Sequence, residues 1–271
     1  MPELPEVETT RRSLEAPLVG RRVTGIVVRD RRLRWPIEPD FERHLTGATI
    51  RAVGRRAKYL LVVTDRGTAM IHLGMSGSLV RVPGTTPVVK HDHVDIALDD
   101  GGVLRFHDPR RFGSIHWIDG DPAAHPLLAS LAPEPSDPSF DGAWLHRITR
   151  GRSVAIKHVL MNGQIVTGVG NIYASEALHA AAINPKTAAK RLSRERCDRL
   201  VACVKATLAR AIEAGGSSLR DYVDGAGNAG HFQAESAVYG RDGQPCPRCG
   251  DTIRLLRQGQ RATYWCAGCQ T

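Results

Sequence analysis

Two cysteine pairs, Cys246-x2-Cys249 and Cys266-x2-Cys269, separated by 16 residues, constrain this chain more than any other feature. Each pair bends its own turn so that both sulfurs face one point, and two such pairs make the four-thiolate shell of a tetrahedral zinc. Disulfides and free thiols are the competing readings of such cysteines, and the paired spacing selects metal. Between the pairs, Ile253-Arg-Leu-Leu-Arg and Arg261-Ala-Thr-Tyr-Trp read as a hairpin carrying basic side chains. The ion staples an end too short to bury a core of its own, and the basic hairpin suits contact with a nucleic acid. Two further cysteines, Cys197 and Cys203, fall on a predicted helix and read as small buried apolar residues. Cysteines committed to metal point to a reducing compartment.

The formal net charge is +9, and it is about +7 once four thiolates and one zinc are counted. That excess favours a polyanion, without separating DNA from RNA or from an anionic membrane surface. Aromatic residues make up only 5% of the chain, which argues against a stacking platform for single strands. With 271 residues, 42% of them hydrophobic, the length suits two domains and a small module. No apolar run reaches the length of a membrane span. The opening Met-Pro-Glu-Leu-Pro-Glu-Val-Glu lacks the pattern of a secretory signal, so a cytoplasmic protein is expected.

Residues 5–18 predict a helix with acids at its positive end and Val7, Leu14 and Leu18 among polar residues. Short apolar or alternating runs at 23–28, 59–63, 69–73, 94–98, 103–106 and 114–117 predict strands. Asp-Arg-Gly at 65–67 and Asp-Asp-Gly-Gly at 99–102 supply hairpin turns, and the spacing suggests a β-sandwich. Residues 119–139, rich in Pro, Asp and Ala, read as a connection. Beyond them the period is helical, best seen over 193–216 with Leu200, Val201, Val204, Leu208 and Ile212 on one face. Gly-Ala-Gly-Asn-Ala-Gly at 225–230 predicts a mobile loop.

Pro2 carries the sharpest chemistry. Removal of Met1 would expose a secondary amine, and an α-amino group has a reference pKa near 8, so part of it is neutral at pH 7. Such an amine can form an iminium with a sugar aldehyde carbon, an electron sink for elimination. Glu3 and Glu6 place carboxylates beside it for proton transfer.

Pro2-Glu-Leu-Pro-Glu-Val-Glu8 resembles the N-terminal signature of the formamidopyrimidine-DNA glycosylases, bacterial repair enzymes for oxidised purines. The resemblance continues through Arg55-Arg-Ala-Lys-Tyr59, His72-Leu-Gly-Met-Ser-Gly77, Asp108-Pro-Arg-Arg-Phe-Gly113, Gly168-Val-Gly-Asn-Ile-Tyr173 and the terminal cysteines. It implies an α+β fold: a catalytic β-sandwich with N-terminal helix over 1–130, a connection over 131–150, a helix–two-turn–helix domain over 151–236 and a zinc finger over 237–271. It implies attack of Pro2 on the sugar C1′ of a damaged nucleotide, loss of the base, then β- and δ-elimination, with one structural zinc as cofactor. Glu3 would handle protons at the sugar and Glu6 would support the site. Lys58 and Arg261 would serve the reaction at the lesion and its phosphates. His91, Arg110, Lys157 and Asn171 would bind DNA.

In the same family Met75, Arg110 and Phe112 would fill the space left by an extruded base, as a glycosylase requires. Gly168 and Gly170 would let a phosphate approach the helix begun by Asn171. Asn162, Thr167 and His231 depart from the commonest family pattern, and His231 bears on base preference. The implied partner is double-stranded DNA with oxidised bases or abasic sites, met by a monomer without membrane attachment in a bacterial cytoplasm, near the nucleoid. Two other readings stand beside this one. One is an endonuclease VIII-like enzyme for oxidised pyrimidines, which usually opens Pro-Glu-Gly. The other is a silent binder of damaged DNA, which has no need of a free N-terminal amine.

Overall fold

In the computed structural model, which describes residues 2–218 and 222–271, the chain opens with α1 (Leu4–Leu18). Pro5 sits in its first turn, where a missing N–H costs nothing, and Glu6 places an acid at the positive end. Val7, Leu14 and Leu18 form its fully buried stripe. Then follow β1 (Val23–Val28), α2 (Phe41–Leu45), β2 (Ile50–Arg56), β3 (Tyr59–Thr64), β4 (Thr68–His72), β5 (Ser78–Pro83), β6 (Asp92–Leu98), β7 (Gly102–His107) and β8 (Ser114–Ile118). They form two antiparallel four-stranded sheets, β1-β6-β7-β5 and β2-β3-β4-β8.

Alternation decides which face is covered. In β3, Leu60, Val62 and Thr64 are buried while Tyr59, Leu61 and Val63 are half-buried. Leu60, Val62 and Ile71 of one sheet join Val94, Ile96, Leu104 and Phe106 of the other in a single apolar cluster with Leu14 and Leu18 of α1. The sandwich expected from the short runs is the observed arrangement. Strands β2 and β5 were not expected, because Arg51, Gly54, Arg55 and Arg56 dilute the first, and Arg81 and Pro83 the second. β5 lies at a sheet edge, where a terminal proline leaves no ladder bond unmade.

Beyond the sheets come α3 (Pro126–Ala129), α4 (Gly142–Thr149), α5 (Ile156–Leu160), α6 (Asn171–Ala180), α7 (Arg194–Glu213) and the terminal hairpin of β9 (Ile253–Gln258) and β10 (Arg261–Cys266). The stretch 131–150, expected as a connection, contains α4, whose N-cap Asp141 accepts from Trp144 N at 2.7 Å.

The chain divides into two compact units, one of residues up to 129 with 214–231, the other of 130–213 with 232–271. The helical domain expected over 151–236 is therefore interrupted. Residues 214–231 belong with the sandwich because Arg81 N donates to Gly225 O at 2.8 Å and Gly225 N to Ser13 Oγ at 2.9 Å. The cysteine-bearing end belongs with the helices: Gln270 Nε2 donates to Ile183 O at 2.9 Å, and Lys186 lies 4.7 Å from the Trp265 ring.

Candidate active site and nucleic-acid interface

Pro2, Glu3 and Glu6 lie buried at the start of α1. Glu3 is the N-cap, and a capping box joins it to Glu6: the Glu3 N–H donates to Glu6 Oε2 at 2.7 Å. The other Glu6 oxygen accepts from Ser217 N, also at 2.7 Å. One carboxylate thus fastens the residue after Pro2 to a segment more than two hundred positions away, through two charge-assisted bonds. Tyr222 completes the clamp, its hydroxyl donating to Glu6 O at 2.8 Å, and burial pushes that phenol well above its ordinary range. Gly216 makes the approach possible. Its φ is +82°, and a Cβ there would stand 3.0 Å from both Glu6 Cγ and Glu6 Oε1. Neither Ser217 nor Tyr222 carries a local signal, so reading the sequence missed both.

The glycine-rich stretch after them is closely bonded. Asp224 N donates to Asn228 O at 2.8 Å, and the Asp224 carboxylate accepts from Ala226 N and Asn228 N at 2.9 and 2.8 Å. In this stretch, expected as a mobile loop, Gly225 serves close approach: a Cβ there would meet Leu14 Cγ at 2.3 Å. His231 is exposed at its end, with its N–H on Ala214 O.

Lys58 sits in the two-residue turn between β2 and β3, after Ala57 in the left-handed region at φ 55°. Its charge reaches His72, whose pKa falls to about 4, chiefly through burial and then through Lys58 and Arg34. The neutral His72 ring accepts at Nδ1 from Gly74 N at 3.0 Å, which fixes the turn that carries Met75. A second turn lies against the first, since a Cβ on Gly74 would fall 2.4 Å from Gly113 N. Buried Asp108 orders both: it accepts from Ser76 Oγ at 3.2 Å, Arg110 N at 3.3 Å and Gly113 N at 2.8 Å. At the tips, Met75 and Phe112 are exposed, 40% and 41%, and the Arg110 guanidinium lies 4.8 Å over the Phe112 ring. Exposing two large apolar side chains on two braced turns costs solvation, and suits a wedge that meets stacked bases. Asp108 stood within a motif, yet its organising role was not read from it.

His91 also has positive φ, 76°, and its carbonyl accepts from Asp108 N at 3.0 Å. Slight desolvation, then Lys90 and neighbouring histidines, lower its pKa. The Asp108 backbone oxygen meets His93 Nε2 at 2.8 Å, which ties the strand bearing His93 to the second turn.

In the helical unit, Asn171 begins α6 after Gly170. Its Nδ2 donates to Ala262 O at 3.0 Å and to Tyr239 Oη at 3.3 Å. Lys157, expected as a phosphate ligand, lies deep in the unit. It is 1% exposed, and Nζ donates to Ala262 O at 3.0 Å and Thr263 Oγ1 at 2.8 Å. Lys157 and Asn171 therefore converge on one carbonyl of β10 and hold the terminal hairpin. Arg261, beside that carbonyl, is exposed at the hairpin turn on a cavity of about 290 Å3 that His158, Asn162 and Gln258 also line. Asn162 caps its own turn by accepting from Gln164 N, and buried Thr167 donates to Ala132 O at 2.8 Å. Both departures from the family pattern are structural in place.

The four thiol sulfurs Cys246, Cys249, Cys266 and Cys269 lie within 4.8 Å of one another, with Cys246–Cys269 at 3.7 Å and Cys249–Cys266 at 3.4 Å. A tetrahedral zinc with bonds of about 2.3 Å separates its sulfurs by about 3.8 Å. Burial, and then the neighbouring sulfurs, push the Cys266 and Cys269 thiols up, while backbone N–H donors offset burial and hold Cys246 down. Four thiolates this close call for a cation, and an all-sulfur shell without an open position is that of a structural zinc. Among the described residues this is the one group of metal-ligand character, and no helix is long and apolar enough to cross a membrane.

Comparison with known proteins matches residues 1–115 to the formamidopyrimidine-DNA glycosylase N-terminal domain, 131–223 to the H2TH domain of the same enzymes and 243–271 to the zinc finger found in FPG and IleRS. The formamidopyrimidine-DNA glycosylase of Stutzerimonas stutzeri is 56% identical over 270 residues, all of both chains. That of Bordetella pertussis is 56% identical over 274 residues, covering 100% of this chain and 99% of the relative. Among solved structures, a point mutant of Lactococcus lactis FPG in complex with Fapy-dG-containing DNA superposes with a TM-score of 0.93 at 34% identity over 100% of each chain. A complex of Lactococcus lactis Fpg with DNA containing an abasic site gives 0.93 at 34% identity over 99% of each chain.

Proposed function

The chain belongs to the formamidopyrimidine-DNA glycosylase family, and on that premise we propose that it excises oxidised purines from duplex DNA and cleaves the resulting abasic site. The observation that carries the reading is the buried Pro2-Glu3-Glu6 group, clamped by Ser217 and Tyr222. With Met1 removed, the Pro2 nitrogen attacks C1′ of the damaged nucleotide, and the bond from C1′ to the base breaks. Glu3 handles protons at the opening sugar, next to the nucleophile in the chain. The iminium that forms draws electrons from C2′, so the 3′ phosphate leaves first and the 5′ phosphate second, which leaves a one-nucleoside gap. Glu6 holds the backbone of Glu3, so its part is to fix the nucleophile's position.

Met75, Arg110 and Phe112 enter the stack as the target nucleotide leaves it. Lys58 and His91 meet the strand near the lesion. Arg261 binds phosphate on the hairpin that Lys157 and Asn171 hold, and such contacts set register without reading sequence. Zinc folds the finger and takes no part in the bond changes. The protein acts as a monomer in the bacterial cytoplasm, near the nucleoid. The catalytic part is the sandwich with segment 214–231, and the DNA-binding part is the helical stretch with its finger; the two compact units support this division.

Borohydride trapping on a duplex with one 8-oxoguanine opposite cytosine, followed by peptide mass mapping, tests the reading. An adduct on Pro2 in protein lacking Met1 is expected. Absence of an adduct on both this duplex and an abasic duplex would leave a damaged-DNA binder. Faster processing of a thymine glycol duplex would move the substrate to oxidised pyrimidines.

A further inference from the structure

Helix α6 carries more of the terminal module than its first residue. Glu176 is 3% exposed, and its carboxylate accepts the backbone N–H groups of Ala237, Val238 and Tyr239 at 2.8, 3.0 and 2.8 Å. These residues lead into the first cysteine pair. One turn on, on the same helix face, His179 is 5% exposed and its Nε2 lies 3.3 Å from Cys246 Sγ. The backbone returns the contact, because Arg248 Nη1 reaches His179 O at 3.5 Å. Arg248 lies between the cysteines of that pair.

We propose that His179 is a positioning residue of the zinc site, whose Nε2–H donates to the Cys246 thiolate. The proposal rests on zinc filling the four-cysteine shell, and it holds whether or not the glycosylase reading does. A metal-bound thiolate can only accept, so the contact selects the tautomer with its proton on Nε2. Four thiolates around one zinc carry a net charge of about −2, and a buried N–H aimed at one sulfur lowers the cost of keeping that charge out of water. Partners of this kind in the outer shell are worth about 10–100-fold in metal affinity. The same bond sets the rotation of the Cys246 side chain, and through it the seat of the first pair against α6. Asn171 at the start of the helix, Glu176 in its middle and His179 in its last turn then hold hairpin, lead-in and metal pair on one rigid element.

The test uses the full chain, as wild type, His179→Phe and His179→Gln. Phenylalanine keeps the ring's bulk and removes the donor, while glutamine restores an N–H at similar reach. Metal analysis of wild type comes first, and one zinc per chain is expected; none would overturn the zinc reading and this proposal with it, while leaving Pro2 trapping to be judged by itself. Zinc release to excess chelator is then expected to be about tenfold faster in H179F, with H179Q within about twofold of wild type. In cobalt-substituted protein the sulfur-to-cobalt charge-transfer band of H179F should move to longer wavelength, because its sulfur lone pair has lost a donor, and H179Q should keep the wild-type position. An unmoved band with wild-type release in H179F would reduce the contact to packing. Should H179F fail to fold, His179→Leu takes its place as the variant without a donor: a band at longer wavelength and faster release support the bond, and wild-type values of both overturn it.

Discussion

At the scale of single residues, the site depends on groups that hold others still. Gly216 is the clearest, since any Cβ both strains a φ of +82° and presses on Glu6. Gly216→Ala should cost about 1–2 kcal/mol of stability, read from the urea midpoint, and should slow Pro2 trapping while zinc content stays unchanged. His72 offers a pH signature. Its pKa is about 4 here against an ordinary 6.5. Between those values the unfolded chain binds more protons, so stability rises with pH across that window and is lost as acid is added. The full effect is ~3 kcal/mol by linkage. His72→Asn, which keeps an acceptor for the Gly74 N–H, should flatten the loss seen in urea titrations between pH 7 and pH 4. An equally steep acid loss in the variant would assign it to other groups. Pro2 and Glu3 could be singled out because the chemistry proposed for them is written in adjacent letters. Ser217 and Tyr222 were not, because a backbone N–H and a buried phenol acquire their parts only when the chain returns to α1.

Elements were legible in proportion to how cleanly one face is apolar. β3 has that contrast, with Leu60, Val62 and Thr64 buried and the residues between them half-buried, while β2 and β5 display arginine, so pairing with their neighbours defines them. The two turns that present Met75 and Phe112 are elements of the same kind, held by Asp108 and by the contact of Gly74 with Gly113. Their tips are exposed, so Met75→Ala should leave the urea midpoint within about 0.5 kcal/mol of wild type. Excision of 8-oxoguanine from a duplex should fall about tenfold or more, because extrusion of a base costs a few kcal/mol that the proposed wedge would offset. Cleavage of an abasic duplex, which has no base to extrude, should fall much less. Equal losses on both substrates would remove the wedge role.

At the scale of the whole molecule, the positive charge and the cysteine pairs could be read directly, whereas the return of segment 214–231 to the first unit could not, since its glycines mark a break in the helical pattern without saying which unit it joins. The charge makes binding a matter of counterion release. Arg261→Ala should weaken duplex binding and reduce the slope of log affinity against log salt by about one, measured by titration at several salt concentrations. Lys157→Ala should act differently, loosening the hairpin, because its ammonium is spent on Ala262 and Thr263. The sandwich, finally, is not built from consecutive chain: Glu6 waits for Ser217, and the unit closes only at residue 231. During translation at roughly 5–20 residues per second, that delay is on the order of 10–50 s. Pro2 is buried in the folded unit, so, on the proposed reading of its amine as the nucleophile, the N-terminus is most open to trimming before segment 214–231 returns.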